Sequence, residues 1–345
     1  MASLWRQARN LEQHRLEPSS VMWEDVAGLK DAKSFLQLFV IVPLIERERT
    51  ANIKKRILLV GAAGVGKTYL VQGLVSELHA VPGCYLYVLY AEDLWRNRVT
   101  CIFSRLRDLR ETIRAFSPCV VVIDGVDILK VDPRADETTS ARVDLLETLE
   151  HLKDYDTIFI GLTNKPWDLD PSIRDRFYTQ IYLPMPDADA RNRILRNLVA
   201  GEASAIGDME CRSLSERLAG FSGADISRLV RHVDMEQIRA LQRASHFKRV
   251  TGPSSTQPFM IHDFLTPCEP NDPGAMVMTF DQAAHDNVLL PEMTAADLWA
   301  DLWNSVDTIK PSVTEDMVQR FLPFQQALDF RYSRVDPYFS SFESH

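Results

Sequence analysis

The sequence predicts an α/β architecture: a three-layer large domain with a parallel sheet between helices, then a small, mostly helical C-terminal domain interrupted by a proline-rich stretch. Three observations lead there. Short apolar β-type runs (Ile57 to Val60, Tyr85 to Leu89, Cys119 to Ile123, Thr157 to Ile160, Gln180 to Leu183) alternate with amphipathic stretches such as Thr68 to His79 and Ile102 to Ala115. That is the pattern of a sheet buried on both faces. A glycine-rich turn separates the first run from the helical stretch after it, and β-type runs stop at Pro184 and Pro186.

The elements follow in order. Residues 1–20 are polar and Arg-rich and form a linker or helix; 21–186 form the large domain. The second domain, 187–330, opens with helical stretches at Ala188 to Val199, Arg212 to Leu218 and Ala224 to Arg243, the last begun by the Ser-Gly-Ala-Asp turn at Ser222 to Asp225. Between Gly252 and Gly274 stand Pro253, Pro258, Pro267, Pro270 and Pro273, too many for a helix. The stretch is an ordered insertion or a loop, within bounds of about 252–292. Helical periodicity returns at Met293 to Val306 and in a C-terminal helix over 313–330, whose stripe is Val313, Met317, Phe321, Phe324 and Leu328. Residues 331–345 are a tail.

Composition excludes several classes. The 345 residues suit about two domains at roughly 150 residues each. With 39 Lys and Arg against 48 Asp and Glu, the net charge of −9 argues against nucleic-acid binding, which favours a basic face. Phe35 to Ile45, the longest apolar stretch, contains Gln37 and Pro43 and falls short of the roughly 20 residues of a membrane span. The first residues lack the apolar core of a secretory signal, so a cytoplasmic protein is expected. Five cysteines without a C-x-x-C pair fit a reducing compartment. The eight scattered histidines lack the spacing of a metal site made from protein side chains alone.

The sharpest local signal is Gly61-Ala62-Ala63-Gly64-Val65-Gly66-Lys67-Thr68, a complete G-x-x-x-x-G-K-[ST] after a strand and before a helix. Its glycines let backbone N–H groups converge on phosphates, Lys67 reaches the outer phosphate oxygens, and Thr68 offers its hydroxyl to magnesium at the positive end of the helix. Asp124, closing the run Cys119 to Ile123, is the expected carboxylate partner of that magnesium. Asn164, after another apolar run, is placed to hold a water or the γ-phosphate of ATP. The large domain is thus a P-loop NTPase.

The order and spacing of these elements resemble the AAA ATPases. Trp23 to Leu29, Asn164 to Trp167, Ile181 to Pro184 and Phe221 to Ile226 resemble the meiotic clade of that superfamily. Ala244 to Lys248, Leu265 to Cys268 and Asp272 to Met276 are similar to the vacuolar protein sorting ATPases that disassemble ESCRT filaments. The resemblance implies a ring, usually a hexamer, built from copies of this chain or from a related AAA subunit. It implies ATP and magnesium as cofactors, with adenine between Asp25, Val26 and Gly28 on one side and Gly223 and Ala224 on the other. It also implies that the proline-rich stretch is a β insertion. ESCRT filament subunits and an activator bound to that insertion are the implied partners, at the surface of the endosomal membrane. The N-terminal capture domain of those relatives has no counterpart in the roughly 20 residues before Trp23.

Three positions depart from that pattern. Relatives read D-E-x-D where this chain has Asp124-Gly125-Val126-Asp127, so the general base is missing, a loss worth roughly 10² to 10⁴ in rate. On a continuing strand Asp127 lies about 6.6 Å beyond Gly125 and reaches the site only through a relayed water, so a structural role is the leading expectation for it. The run of three arginines that relatives use in trans is here Arg174-Asp175-Arg176, leaving Arg176 as the surviving finger and a carboxylate facing a neighbour's phosphate. Counting back from Asp124 without gaps puts Asn97-Arg98-Val99 where relatives carry an aromatic pore loop; Trp95, three residues before Arg98, either takes over if the loop shifts or is a buried core residue, the commoner fate of a Trp. The leading expectation is an ATP-binding ring subunit with slow or absent hydrolysis. An active ESCRT-disassembling mechanoenzyme and a scaffold that has lost nucleotide function are the alternatives.

Overall fold

The computed structural model describes residues 20–46, 55–90, 118–129, 157–199, 207–253, 261–283 and 294–325, with isolated positions between 109 and 150 and at 288–289. Trp95, Asn97, Arg98, Val99, Leu328 and the expected terminal segments lie outside the described residues. Contacts divide the chain into two units. The first takes residues to Ala190, Gly220–Ala224 and everything from Pro311; the second takes Arg191–Ala219 and Asp225–Lys310.

The first unit is built on a parallel sheet. Strands β1 (Arg56–Gly61), β2 (Tyr85–Tyr90), β3 (Cys119–Asp124), β4 (Thr157–Thr163) and β5 (Thr179–Leu183) stand in the order β2-β3-β4-β1-β5. All four pairings are parallel. The continuous apolar runs have the burial they imply, since every residue of β1 and β4 is buried. Helix α1 (Lys30–Leu36) follows a short turn at Trp23–Asp25. Helix α2 (Lys67–His79) lays Leu70, Val71, Leu74, Val75 and Leu78 into the core. Their spacing along one helical face is what made the segment legible in sequence.

Register brings the chemical residues to one edge. Asp124 is opposite Leu162, Leu59 is also opposite Leu162, and Val60 is opposite Thr163. The C-terminal ends of β1, β3 and β4 therefore finish level, which is where parallel sheets bind ligands.

The C-terminal segment belongs to this unit, although the sequence boundaries grouped it with the small domain at 187–330. Helix α8 (Glu315–Gln319) is capped by Thr314, whose hydroxyl accepts the Met317 N–H at 3.4 Å. The single helix expected over 313–330 is interrupted by a turn at Arg320–Phe321, and helix resumes at 322–325. Pro323 accounts for the break, because it has no N–H to donate and its ring crowds the preceding turn. The turn points Phe321 into the core at 1% exposure, its ring 5.0 Å from Trp167 and 5.9 Å from Tyr182. The Arg320 guanidinium lies 3.9 Å over the other aromatic surface of this group, the Trp167 ring.

The second unit contains most of α4 (Ala188–Val199), then α5 (Asp208–Arg217), the greater part of α6 (Gly223–Arg243) and α7 (Ala295–Ser305). Its sheet, in the order β7-β6-β8, is antiparallel and formed by β6 (His246–Pro253), β7 (Ile261–Pro267) and β8 (Met276–Val277). The β region thus begins at His246, ahead of the expected 252, because Phe247 is fully buried against Leu265 and needs strand geometry to point inward. Pro253 and Pro267 sit at the ends of their strands, where a missing N–H does least harm. Arg217 ties α5 to α7 by donating to the Trp303 carbonyl at 2.9 Å and to Asp307 at 2.7 Å. Among the described residues no helix is long and apolar enough to cross a membrane.

The docking of the C-terminal segment generates a stability prediction. Phe321→Ala should cost about 3 to 5 kcal/mol, the range for emptying a buried aromatic site. A urea titration of the full chain checks this, and an unchanged midpoint would show that the Trp167 contact contributes nothing.

Candidate functional site

The glycine-rich turn leaves β1 at Gly61 and becomes α2 at Lys67. Gly64 has φ +79°, and a Cβ there would come within 2.7 Å of the Ser222 hydroxyl and 2.8 Å of the Ala224 methyl. Only glycine satisfies both the conformation and the space. The Ala224 N–H donates to the Gly64 carbonyl at 3.1 Å, so the segment Phe221–Ala224 lies directly against the loop. Sequence reading placed Gly223 and Ala224 near the nucleotide but did not single out Ser222, which is fully buried.

Lys67 is 6% exposed, and its ammonium is folded back onto its own loop, donating to the carbonyls of Gly61 at 2.8 Å and Ala62 at 2.7 Å. Burial lowers its pKa from the ordinary 10.5 to about 8, with the charges of Asp124 and Asp127 acting in the opposite direction. An anion entering the cradle would give this poorly solvated cation a better partner than two neutral carbonyls. Thr68 donates its hydroxyl to Asp124 Oδ2 at 2.5 Å. A hydroxyl and a carboxylate in contact at a helix N-terminus are oxygen donors suited to magnesium, which takes few protein ligands and completes its shell with phosphate and water. Thr68 and Asp124 therefore fit the metal, and Gly61, Ala62, Ala63, Gly64, Val65, Gly66 and Lys67 have the form of a cradle that could hold phosphates.

The backbone turns sharply after Asp124. Gly125 has φ +85°, its N–H donates to the Leu162 carbonyl at 3.0 Å, and Val126–Leu129 form a tight helical turn. The strand does not continue to Asp127, and the expected extra 6.6 Å of extended chain is absent. The turn keeps Asp127 close enough for its charge to act on Lys67, and its Oδ1 is buried. Asn164 follows β4, and the Lys165 N–H closes the turn onto the Thr163 hydroxyl at 3.0 Å. It thus stands at the same sheet edge as Asp124.

The segment offered for adenine is held by its own structural contacts. Asp25 accepts the Met22 N–H at 2.8 Å, Val26 is 2% exposed and packs over Gly73 of α2, and a Cβ on Gly28 would lie 3.0 Å from the Ala190 methyl. Asp25 also acts electrostatically on Tyr69, next to Thr68, whose hydroxyl pKa is raised mainly by burial. The segment therefore lies on α2, whose N-terminus forms the cradle.

Arg174, Asp175 and Arg176 end the short helix α3 (Pro171–Arg174) and lead into β5. Ile57 is opposite Thr179 and Gly61 opposite Leu183, so these arginines precede the N-terminal ends of the strands while the cradle follows their C-terminal ends. A six-residue strand separates the two edges by about 17 Å. Arg176 therefore does not serve its own chain's loop. It pairs with Glu150. Beside it is a cation that sequence reading missed: Arg56, 5% exposed, with its guanidinium 5.4 Å over the Tyr178 ring and no hydrogen bond from either terminal nitrogen among the described residues. Burial lowers its pKa. It was unflagged because an Arg at a strand start ordinarily reaches solvent.

Residues 57–185 match the family described as "ATPase family associated with various cellular activities (AAA)", and 265–328 match the "Vps4 C terminal oligomerisation domain". The chain is 34% identical over 322 residues to vacuolar protein sorting-associated protein 4A of Homo sapiens, covering 90% of this chain and 72% of that protein. It is 33% identical over 313 residues to vacuolar protein sorting-associated protein 4 of Dictyostelium discoideum, covering 88% and 69%. Fidgetin-like protein 1 of Homo sapiens is 30% identical over 253 residues, covering 71% of this chain and 37% of that one. The crystal structure of the FIGL-1 AAA domain in complex with ADP superposes with a TM-score of 0.69 at 20% identity, covering 94% of this chain and 96% of that one, a likeness of fold. With its AAA domain and the C-terminal oligomerisation domain that follows, the chain belongs to the AAA ATPases, in the family of the vacuolar protein sorting-associated protein 4 proteins.

Proposed function

We propose that this chain is an ATP-holding subunit of an AAA ring in ESCRT-dependent vacuolar and endosomal sorting, and that it hydrolyses ATP slowly or not at all. One observation carries the reading: a complete phosphate cradle, with Thr68 already on Asp124, stands beside a glycine where the relatives' pattern has the water-polarising carboxylate. The backbone N–H groups of the loop and Lys67 bind the phosphates, and Thr68 and Asp124 hold magnesium, whose charge would offset that of the phosphates. Asn164 orients groups at the outer phosphate. Hydrogen bonds from the loop hold the nucleotide without completing the hydrolytic site.

The trans site is weakened in the same direction. Asp175 caps α3 with its backbone N–H on the Ile173 and Pro171 carbonyls, so its side chain is not used for that cap. A carboxylate at a neighbour's γ-phosphate opposes binding there, because like charges in a poorly hydrated interface repel strongly. Arg176 then acts alone, after release from Glu150. Partners in this reading are further copies of this chain or a related AAA subunit, with ESCRT filament subunits as cargo and an activator on the sheet of β6 to β8. The site of action is the cytoplasmic surface of the endosome.

Calorimetry with magnesium and ATP tests the cradle: Lys67→Ala should lose most of the binding, and equal affinity in the two proteins would remove the basis for the proposal. Steady-state phosphate release tests the brake: Asp175→Arg should raise turnover, up to the roughly 10³ to 10⁵ that an arginine finger can supply. A wild-type rate equal to that of the variant contradicts the reading. Gly125→Glu is expected to lower the melting temperature, because a side chain at φ +85° costs about 1 to 2 kcal/mol, while Gly125→Asn should be tolerated better.

A further inference from the structure

We propose that Asp127 supplies the carboxylate that orients the attacking water in this chain's own nucleotide site, taking over from the acidic side chain missing at position 125. The proposal rests on the ATP-binding reading above and goes beyond it by assigning the residual hydrolysis to a residue.

An acidic residue at position 125 on a continuing strand would point one way and leave Asp127 a further two residues along. Here Gly125 is left-handed, its N–H is fixed on the Leu162 carbonyl, and the next residues curl into the turn Val126–Leu129. Val126, with no exposed surface, anchors that turn in the core. Asp127 is thereby held at the sheet edge that carries the cradle.

The second observation is an unsatisfied group. Asp127 Oδ1 is buried and has no hydrogen-bond partner among the described residues. Leaving a buried acceptor unpaired costs about 1 to 3 kcal/mol, and more for a charged one. Such a group in a native structure calls for a reason, and a catalytic role is a recognised one. The other carboxylates near the loop have partners: Asp124 receives the Thr68 hydroxyl and Asp25 the Met22 N–H. Asp127 also acts electrostatically on Lys67, the amine that meets the phosphates.

The step balances with the groups named. The water oxygen forms a bond to the γ-phosphorus as the bond from that phosphorus to the bridging oxygen breaks, and ADP leaves with the electron pair. The water proton passes to the Asp127 carboxylate and then to solvent. No oxidant or further reactant enters.

The experiment uses the full chain and compares wild type, Asp127→Asn and Asp127→Glu. Three quantities are read: the affinity for a fluorescent ATP analogue, the melting temperature, and the single-turnover rate of phosphate release from ATP with magnesium. Asp127→Asn is expected to slow release by about 10²-fold or more with affinity and melting temperature unchanged, the range for removing a general base. Asp127→Glu should keep most of the rate. The proposal is overturned by an unchanged rate in Asp127→Asn, by wild type that binds the analogue and releases no phosphate, or by loss of affinity and melting temperature in both variants, which assigns Asp127 a purely structural part. Wild type that fails to bind the analogue overturns the nucleotide reading itself, and the separate binding measurement distinguishes that failure from the others.

Discussion

The 2.5 Å bond from the Thr68 hydroxyl to Asp124 is the contact on which the rest of the site depends. The two residues are 56 positions apart: Asp124 ends β3 and Thr68 opens α2, the helix that follows β1, and β4 lies between β1 and β3. They meet because three parallel strands end level and because the glycine-rich loop places the first turn of α2 over that edge. A shift of one residue in the β3–β4 register would move Asp124 by about 3.3 Å and reverse the face it presents. The burial of β1 and β4 along their whole length is what prevents such a slip.

From that contact outward, the cradle is satisfied by the protein itself. Lys67 rests on the Gly61 and Ala62 carbonyls, and Ala224 donates to Gly64. The loop is thus ordered by internal hydrogen bonds, and a nucleotide would exchange these for stronger, charge-assisted ones. Gly125 differs from an acidic residue in backbone conformation as well as in side chain, so the loss there is built into the turn that carries Asp127. The departure at position 125 and the position of Asp127 are therefore one structural feature with two consequences.

Arg176 and the C-terminal segment both belong to the first unit and lie away from the cradle. Arg176 is held by Glu150 and has nearby the buried Arg56, the first residue of β1. Phe321 closes the aromatic group of Trp167 and Tyr182 after the chain has passed through the second unit, and it ties the last described residues to the first unit's core. The matched oligomerisation domain, residues 265–328, runs from the end of β7 through β8 and α7 to this returning segment.

Local patterning was enough for the sequence to determine the α/β class, the strand runs, the phosphate loop and its Thr68 and Asp124, because continuous apolar strands and a G-x-x-x-x-G-K-T turn report burial and backbone conformation over a few residues. The family was legible for the same reason, in short motifs at fixed spacing. The tertiary structure decided what depends on long-range contact or on a reversal of the chain. It placed Ser222 against Gly64, turned Asp127 back beside the cradle through a left-handed glycine, broke the C-terminal helix at Pro323, and returned Phe321 to the first unit. It also buried Arg56, which a strand-start position in the sequence suggests is exposed. In each case the deciding quantity is where a side chain ends up after the chain has folded over itself, and residue spacing along the chain does not carry that information.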